Sequence, residues 1–147
     1  MNIAIAINEA YVPYAYVLLY SIFKNNDDKK IKIFLLQDDV KKESLNKIRE
    51  LIECNGATLE TPLIHIEKTH RIFYENYDWP KEICYRLELP EILPEEIDRI
   101  LYLDADMIVQ KSLEALYNMD FEGNELIAAK DIPSVVDKEG GKSGRSP

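Results

Sequence analysis

RILYLDADMIV, residues 99–109, is the stretch on which the reading of this chain turns. Arg99-Ile100-Leu101-Tyr102-Leu103 is a nearly continuous apolar run of strand length that stops on Asp104-Ala105-Asp106. Unbroken apolar runs belong to strands buried on both faces, as in parallel sheets covered by helices. The run is therefore expected to be the strongest central strand of the fold, with the two carboxylates at its carboxyl end.

Working outward, the same pattern recurs. Ile3–Ile7 is wholly apolar and stops at Asn8-Glu9; Ile31–Leu36 resumes an apolar run and stops at Gln37-Asp38-Asp39. Between them, Tyr11–Lys24 has Pro13 near its start and Val17, Leu18, Ser21 and Ile22 at helical spacing. Lys41–Cys54 places Leu45, Ile48, Leu51 and Ile52 on one face, with Asn55-Gly56 where a left-handed cap would sit. Ala57–Glu60 and Leu63–Ile66 are weaker strand candidates, and Glu82–Leu93 reads as a helix interrupted by Pro90. Ser112 can cap a short helix over Leu113–Tyr117, and Leu126–Ala129 is expected as a last strand running into Lys130-Asp131. Alternating strands and helices predict an α/β domain with a mostly parallel central sheet and flanking helices. Ligands of such sheets bind beyond the carboxyl ends of the strands, where Asn8, Asp104 and Asp131 would lie.

The chain has 147 residues, 27 acidic against 18 basic, for a net charge of −9. Such a surface repels phosphate backbones and anionic lipid, so nucleic-acid and membrane partners are not expected. The apolar run near Met1 lacks a basic flank and is too short for a signal peptide or a membrane span, which makes the cytoplasm the default location. Cys54 and Cys84 lack CxxC spacing and are expected as reduced thiols. His65 and His70 form no convincing metal set. Residues 137–147, DKEGGKSGRSP, carry no apolar anchor and are expected to be a flexible polar tail after a domain spanning 1–136.

Carboxylates at i and i+2 of an extended segment point the same way, with Cα atoms about 6.6 Å apart. Asp104 and Asp106 could converge on one cation, and no lysine or arginine beside them in sequence neutralises the pair. Oxygen ligands of this kind select Mn²⁺ or Mg²⁺, commonly shared with substrate phosphates. On spacing alone, two aspartates that end a strand and start a turn account for the pattern equally well.

The whole stretch 99–109, with Ser112-Leu113, the segment LIAAKD at 126–131 and the opening NIAIAINEAYVPYAYVLLYSI, resembles glycosyltransferase family 8. This is the family of glycogenin, galactinol synthases and bacterial lipopolysaccharide glucosyl- and galactosyltransferases. The resemblance covers nearly all of residues 1–133. It implies a GT-A-like fold, a Rossmann-like nucleotide-sugar-binding domain that is C-terminally truncated. It also implies transfer of a hexose from a UDP-sugar donor to a saccharide or other hydroxyl acceptor, with retention and with Mn²⁺ (or Mg²⁺) held by Asp104 and Asp106.

By the same resemblance Ala6, Asn8 and Tyr11 hold the nucleoside, with the Tyr11 ring as a stacking surface for uracil. Asn8 stands where many relatives carry Asp or Thr. Ala105 lies within the donor site beside Asp104, and Arg86 reaches towards the nucleotide sugar and the second aspartate. Asp131 faces the transferred sugar or the acceptor. From the residues alone, Tyr11 could equally pack at a helix start, Arg86 could pair with Glu82 at i,i+4, and Asp131 could be a turn residue. The family's third metal ligand, a histidine, comes from a later segment, so this chain is expected to hold an incomplete active site. Exposed apolar surface at that open end could pair two copies as a homodimer.

Two other functions compete. One is a non-catalytic nucleotide-binding module, favoured by the missing third ligand. The other is a phosphohydrolase using a DxD nucleophile, disfavoured because Ile108 stands where such enzymes carry threonine and because the motif comes late in the chain.

Overall fold

The computed structural model describes residues 1–64 and 81–130. Strands β1 (Asn2–Ala6), β2 (Lys32–Leu36), β3 (Thr58–Glu60) and β4 (Leu101–Asp104) form one sheet in the order β3-β2-β1-β4, with every pairing parallel. Helix α1 (Val12–Lys24) links β1 to β2 after a 3₁₀ turn at Glu9–Tyr11, and α2 (Lys42–Cys54) links β2 to β3. Helix α3 (Glu82–Ile92) precedes β4, and the single turn α4 (Glu114–Tyr117) follows it.

The apolar runs are explained by cover on both faces. Ile3, Ile5, Ile33, Leu35 and Leu103 pack with Ala15, Leu18, Leu19 and Ile22 of α1 and Ile48 and Ile52 of α2. Ala4, Phe34 and Leu36, of opposite parity, pack with Tyr85 and Leu89 of α3. Each fully buried isoleucine or leucine contributes about 1.5–3 kcal/mol. The buried positions of α1 follow the i, i+3, i+4, i+7 rule from Ala15, which leaves Val17 52% exposed rather than in the core where the spacing suggested it. Ser21 is buried because its hydroxyl donates to the Leu18 carbonyl (2.7 Å) and accepts the Val109 amide (2.9 Å).

Several expectations are corrected. β4 lies at the edge of the described sheet, not at its centre; an apolar run reports burial of faces, not position in the strand order, and of this strand Leu103 alone is buried. Leu126–Ala129 forms no strand, because no described strand pairs with it, and Leu126 is 77% exposed. Helix α3 runs through Pro90 to Ile92 instead of breaking there. A proline so close to the end of a helix removes one backbone hydrogen bond, and Leu93 N–H still caps onto the Leu89 carbonyl at 3.1 Å. Ala57–Glu60 is borne out as β3, whereas Leu63 and Ile64 have no regular structure. Ile66, His65, His70, Asp131 and the polar tail lie outside the described residues.

Gly56 takes a φ of 71°, the left-handed cap expected after α2. A Cβ there would meet nothing within 4 Å, so Gly56→Ala costs the backbone term alone, about 1–2 kcal/mol in urea unfolding.

The start of α3 is tied down from β2. Asp38, just past that strand, accepts Lys81 Nζ at 2.8 and 2.7 Å and the Tyr85 hydroxyl at 2.7 Å. Burial pushes the Asp38 carboxyl up, but the bonds from Lys81 and Tyr85 outweigh it and hold it below its ordinary 3.8. A carboxylate with a depressed pKa stabilises the fold above its unfolded value and loses that contribution as pH falls through the folded one. Asp38→Asn is therefore expected to lower stability at neutral pH, with the gap from wild type closing in acid below 3.8, as read from urea curves at successive pH values. Lys81 is raised above 10.5, chiefly by its bond to Asp38, so its share persists below that value and is lost only as pH rises above it.

Candidate functional site

The strand order reverses at β1: β2 and β3 continue on one side, β4 lies on the other. Ala6 at the end of β1 is in register with Asp104 at the end of β4. Ligands of open parallel sheets bind in the crevice beyond the strand ends at such a switch. A cleft of about 290 Å³ lies there. Ala6, Asn8 and Tyr11 line it from β1; Tyr102, Asp104, Ala105 and Asp106 line it from β4; Glu82, Ile83 and Arg86 close it from α3. Every described residue singled out from the sequence is thus on one cavity, and Asp131 lies beyond the described residues.

The acidic stretch is shaped by a turn. Met107 N–H donates to the Asp104 carbonyl at 3.3 Å, so Asp106 falls in the turn and not in the extended segment assumed from the spacing. Ala105 is turned inward and buried, while Asp106 is exposed. The chain leaving the turn is anchored to the two asparagines that follow α1: Asn25 Nδ2 donates to the Val109 carbonyl at 3.0 Å and Asn26 Oδ1 accepts the Leu113 amide at 2.8 Å. Ser21 of α1 and the asparagines after it therefore hold the chain that leaves the acidic turn.

Arg86 donates through one terminal nitrogen to Asp104 Oδ1 at 3.0 Å and through Nε to the Ile83 carbonyl at 3.2 Å. Its guanidinium lies 4.4 Å from the centre of the Tyr102 ring. It engages the first aspartate, not the second as the resemblance implied, because Asp104 points to the α3 side of the sheet in phase with Tyr102, whereas Asp106 sits in the turn. Nor does Arg86 pair with Glu82, whose carboxylate instead accepts Asn8 Nδ2 at 3.2 Å. Burial, reinforced by Asp104 against the opposing pull of Arg86, pushes the Tyr102 hydroxyl up to about 12, so it stays protonated at neutral pH.

Asn8 caps the 3₁₀ turn, its Oδ1 accepting Tyr11 N–H at 3.2 Å. The Tyr11 ring is 45% exposed, with the Tyr14 ring 5.5 Å away. Glu9 faces the other way, accepting the Lys41 amide and the Ser44 hydroxyl, both at 2.9 Å, and so caps α2.

Among the described residues no group of three or more metal-binding side chains occurs. The donor set nonetheless fits a hard cation shared with a phosphate. Asp106 makes no bond among the described residues, Asp104 has an oxygen beyond the one given to Arg86, and both open onto the cleft.

A parallel α/β sheet with its cleft at the strand-order switch, lined by an aromatic ring, an arginine and two carboxylates, has the architecture of the doubly wound α/β class. Residues 2–145 match the family model described as Glycosyl transferase family 8, and the chain belongs to that family. It is 27% identical over 137 residues to a lipopolysaccharide 1,2-glucosyltransferase of Escherichia coli, covering 93% of this chain and 40% of that protein. It is 29% identical over 147 residues to the glycosyltransferase GlyF of Streptococcus pneumoniae serotype 4, covering 97% of this chain and 34% of that one. Among solved structures, galactosyltransferase LgtC in complex with donor and acceptor sugar analogues superposes with a TM-score of 0.71 at 24% identity, over 82% of this chain and 43% of that one. Apo GlyE of Streptococcus pneumoniae gives 0.59 at 26% identity, over 81% and 26%. The fold is thus that of GT-A glycosyltransferases, and the chain spans between 26% and 43% of the length of these relatives.

Sequence reasoning missed Tyr102, Glu82 and Ile83. Tyr102 had a signal: it precedes Asp104 by two in a strand and so shares its face. Glu82 and Arg86 are one helical turn apart, but which face of α3 meets the cleft follows from the Asp38 clasp, which no local pattern encodes.

Proposed function

We propose that this chain is the donor-binding part of a metal-dependent hexosyltransferase, which moves a hexose from a UDP-sugar to a saccharide or other hydroxyl acceptor with retention. The observation that carries the reading is the convergence of Asp104, Asp106, Arg86, Asn8 and Tyr11 on one cleft at the β1/β4 switch. In this reading Tyr11 stacks on the base, and Ala6, Asn8 and Ala105 line the nucleoside and ribose side. Asp104 and Asp106 would hold Mn²⁺ or Mg²⁺, and Asp131 would face the sugar or the acceptor. The metal, when bound, neutralises charge developing on the departing nucleoside diphosphate. Arg86 keeps Asp104 oriented by stacking on Tyr102 and offers its remaining N–H groups to a phosphate oxygen or a sugar hydroxyl. A cytoplasmic location belongs to the same proposal, in keeping with the free thiols of Cys54 and Cys84. No described helix is long and apolar enough to cross a membrane.

Calorimetric titration of UDP in Mn²⁺ and then in EDTA tests the reading. Metal-dependent binding is expected. A folded chain that ignores UDP in both conditions overturns it. Binding of UDP without hexose transfer to any saccharide would instead favour a nucleotide-binding module.

A further inference from the structure

Glu82 is the one carboxylate of the cleft that neither the acidic turn nor Arg86 explains. It lines the cavity from the first turn of α3, is half-buried, and makes no ion pair among the described residues. The neighbouring Lys81 is committed to Asp38. The bond Glu82 does make is to Asn8, and Asn8 is locked. Its Oδ1 accepts Tyr11 N–H and its Nδ2 donates to Glu82 Oε1, each at 3.2 Å. Flipping that amide would set NH₂ against an N–H and an oxygen against a carboxylate, two repulsive contacts in place of two attractive ones. Asn8 therefore holds Glu82 at the cleft wall through Oε1, and Oε2 makes no bond to a described residue.

An ionised carboxylate accepts hydrogen bonds and donates none, so the group it meets must carry O–H or N–H. Position narrows the choice. Tyr11, beside Asn8, offers the exposed aromatic face; Arg86, one helical turn beyond Glu82, and the Asp104 it bonds on β4 form the polyanion end. Glu82 lies between the two, where the sugar ring that joins a base to its phosphates would fall. A vicinal diol presents O–H donors to one carboxylate, the chemistry by which acidic residues read ribose at the strand ends of other α/β folds.

We propose that Glu82 is a specificity-determining residue of this cleft, accepting a ribose hydroxyl and so selecting ribonucleotides over 2′-deoxyribonucleotides, with Asn8 as its positioning residue. The inference rests on reading the cleft as a nucleoside diphosphate site. The test is calorimetric titration of the full chain with UDP and with 2′-deoxy-UDP, both in Mn²⁺, on wild type and on Glu82→Gln, with thermal unfolding to verify that the variant folds.

Wild type is expected to favour UDP by about tenfold or more, the range of a hydrogen bond to a charged acceptor. In Glu82→Gln the two affinities should converge, mainly through weaker UDP binding. Equal affinities in wild type overturn the proposal whether or not the variant folds. A uniform loss of both ligands in a folded Glu82→Gln also overturns it, and would move Glu82 to the base edge. Failure of wild type to bind either nucleotide sinks the reading of the cleft itself, a result distinguishable from both.

Discussion

Asp106→Ala is expected to weaken UDP binding in Mn²⁺ more than about 100-fold and to make what remains indifferent to EDTA. Loss of a residue that merely supports a metal ligand costs about 10- to 100-fold, so loss of a ligand should exceed that. The two aspartates are not equivalent. Asp104 already bonds Arg86 at 3.0 Å, while Asp106 stands in a turn with no bond to any described residue. Removing Asp106 therefore breaks no hydrogen bond or ion pair among the described residues, and stability should change by less than about 0.5 kcal/mol, as for surface substitutions generally. A large loss of binding with an unchanged melting temperature is the signature of a ligand. Undiminished, Mn²⁺-dependent UDP binding by the variant would return the acidic turn to the role of an ordinary strand end.

The largest stability effect is expected from the centre of the sheet. Ile5 sits on β1, an inner strand, and is fully buried against α1 and α2. Ile5→Ala should cost about 2–5 kcal/mol, combining the lost transfer energy with the cavity left between sheet and helix. Val17→Ala supplies the contrast. It lies on a helix that packs on the same face, yet its side chain is 52% exposed, so the change should stay within about 0.5 kcal/mol. Urea unfolding of both variants measures the contrast between a buried strand position and an exposed helix position. A costly Val17→Ala would mean that the helix is rotated from the orientation described.

Much of the architecture was legible because it depends on short-range pattern. The runs at Ile3–Ile7 and Ile31–Leu36 are recognisable since burial of both faces removes polar residues from consecutive positions. Gly56 marks the end of α2 because a left-handed residue there excludes most side chains. The acid pair and Asn8 were visible as polar residues at the ends of apolar runs, and strand ends in a parallel sheet are where clefts form. What failed depends on partners. Leu126–Ala129 has a strand's composition but no described strand beside it, and Pro90 proved tolerable because α3 ends within a turn of it.

By itself, then, the sequence determined the parallel α/β class, the helix and strand alternation and the identity of the acidic turn, because each follows from contacts a few residues apart. Tertiary structure decided that β4 lies beside β1 at the edge of the described sheet, that Arg86 meets Asp104 across 18 residues and that Glu82 meets Asn8 across 74. Pairings over such separations are selected by how the helices pack on the two faces of the sheet. No periodicity in a single segment carries that information, because it resides in the shape of the assembled core.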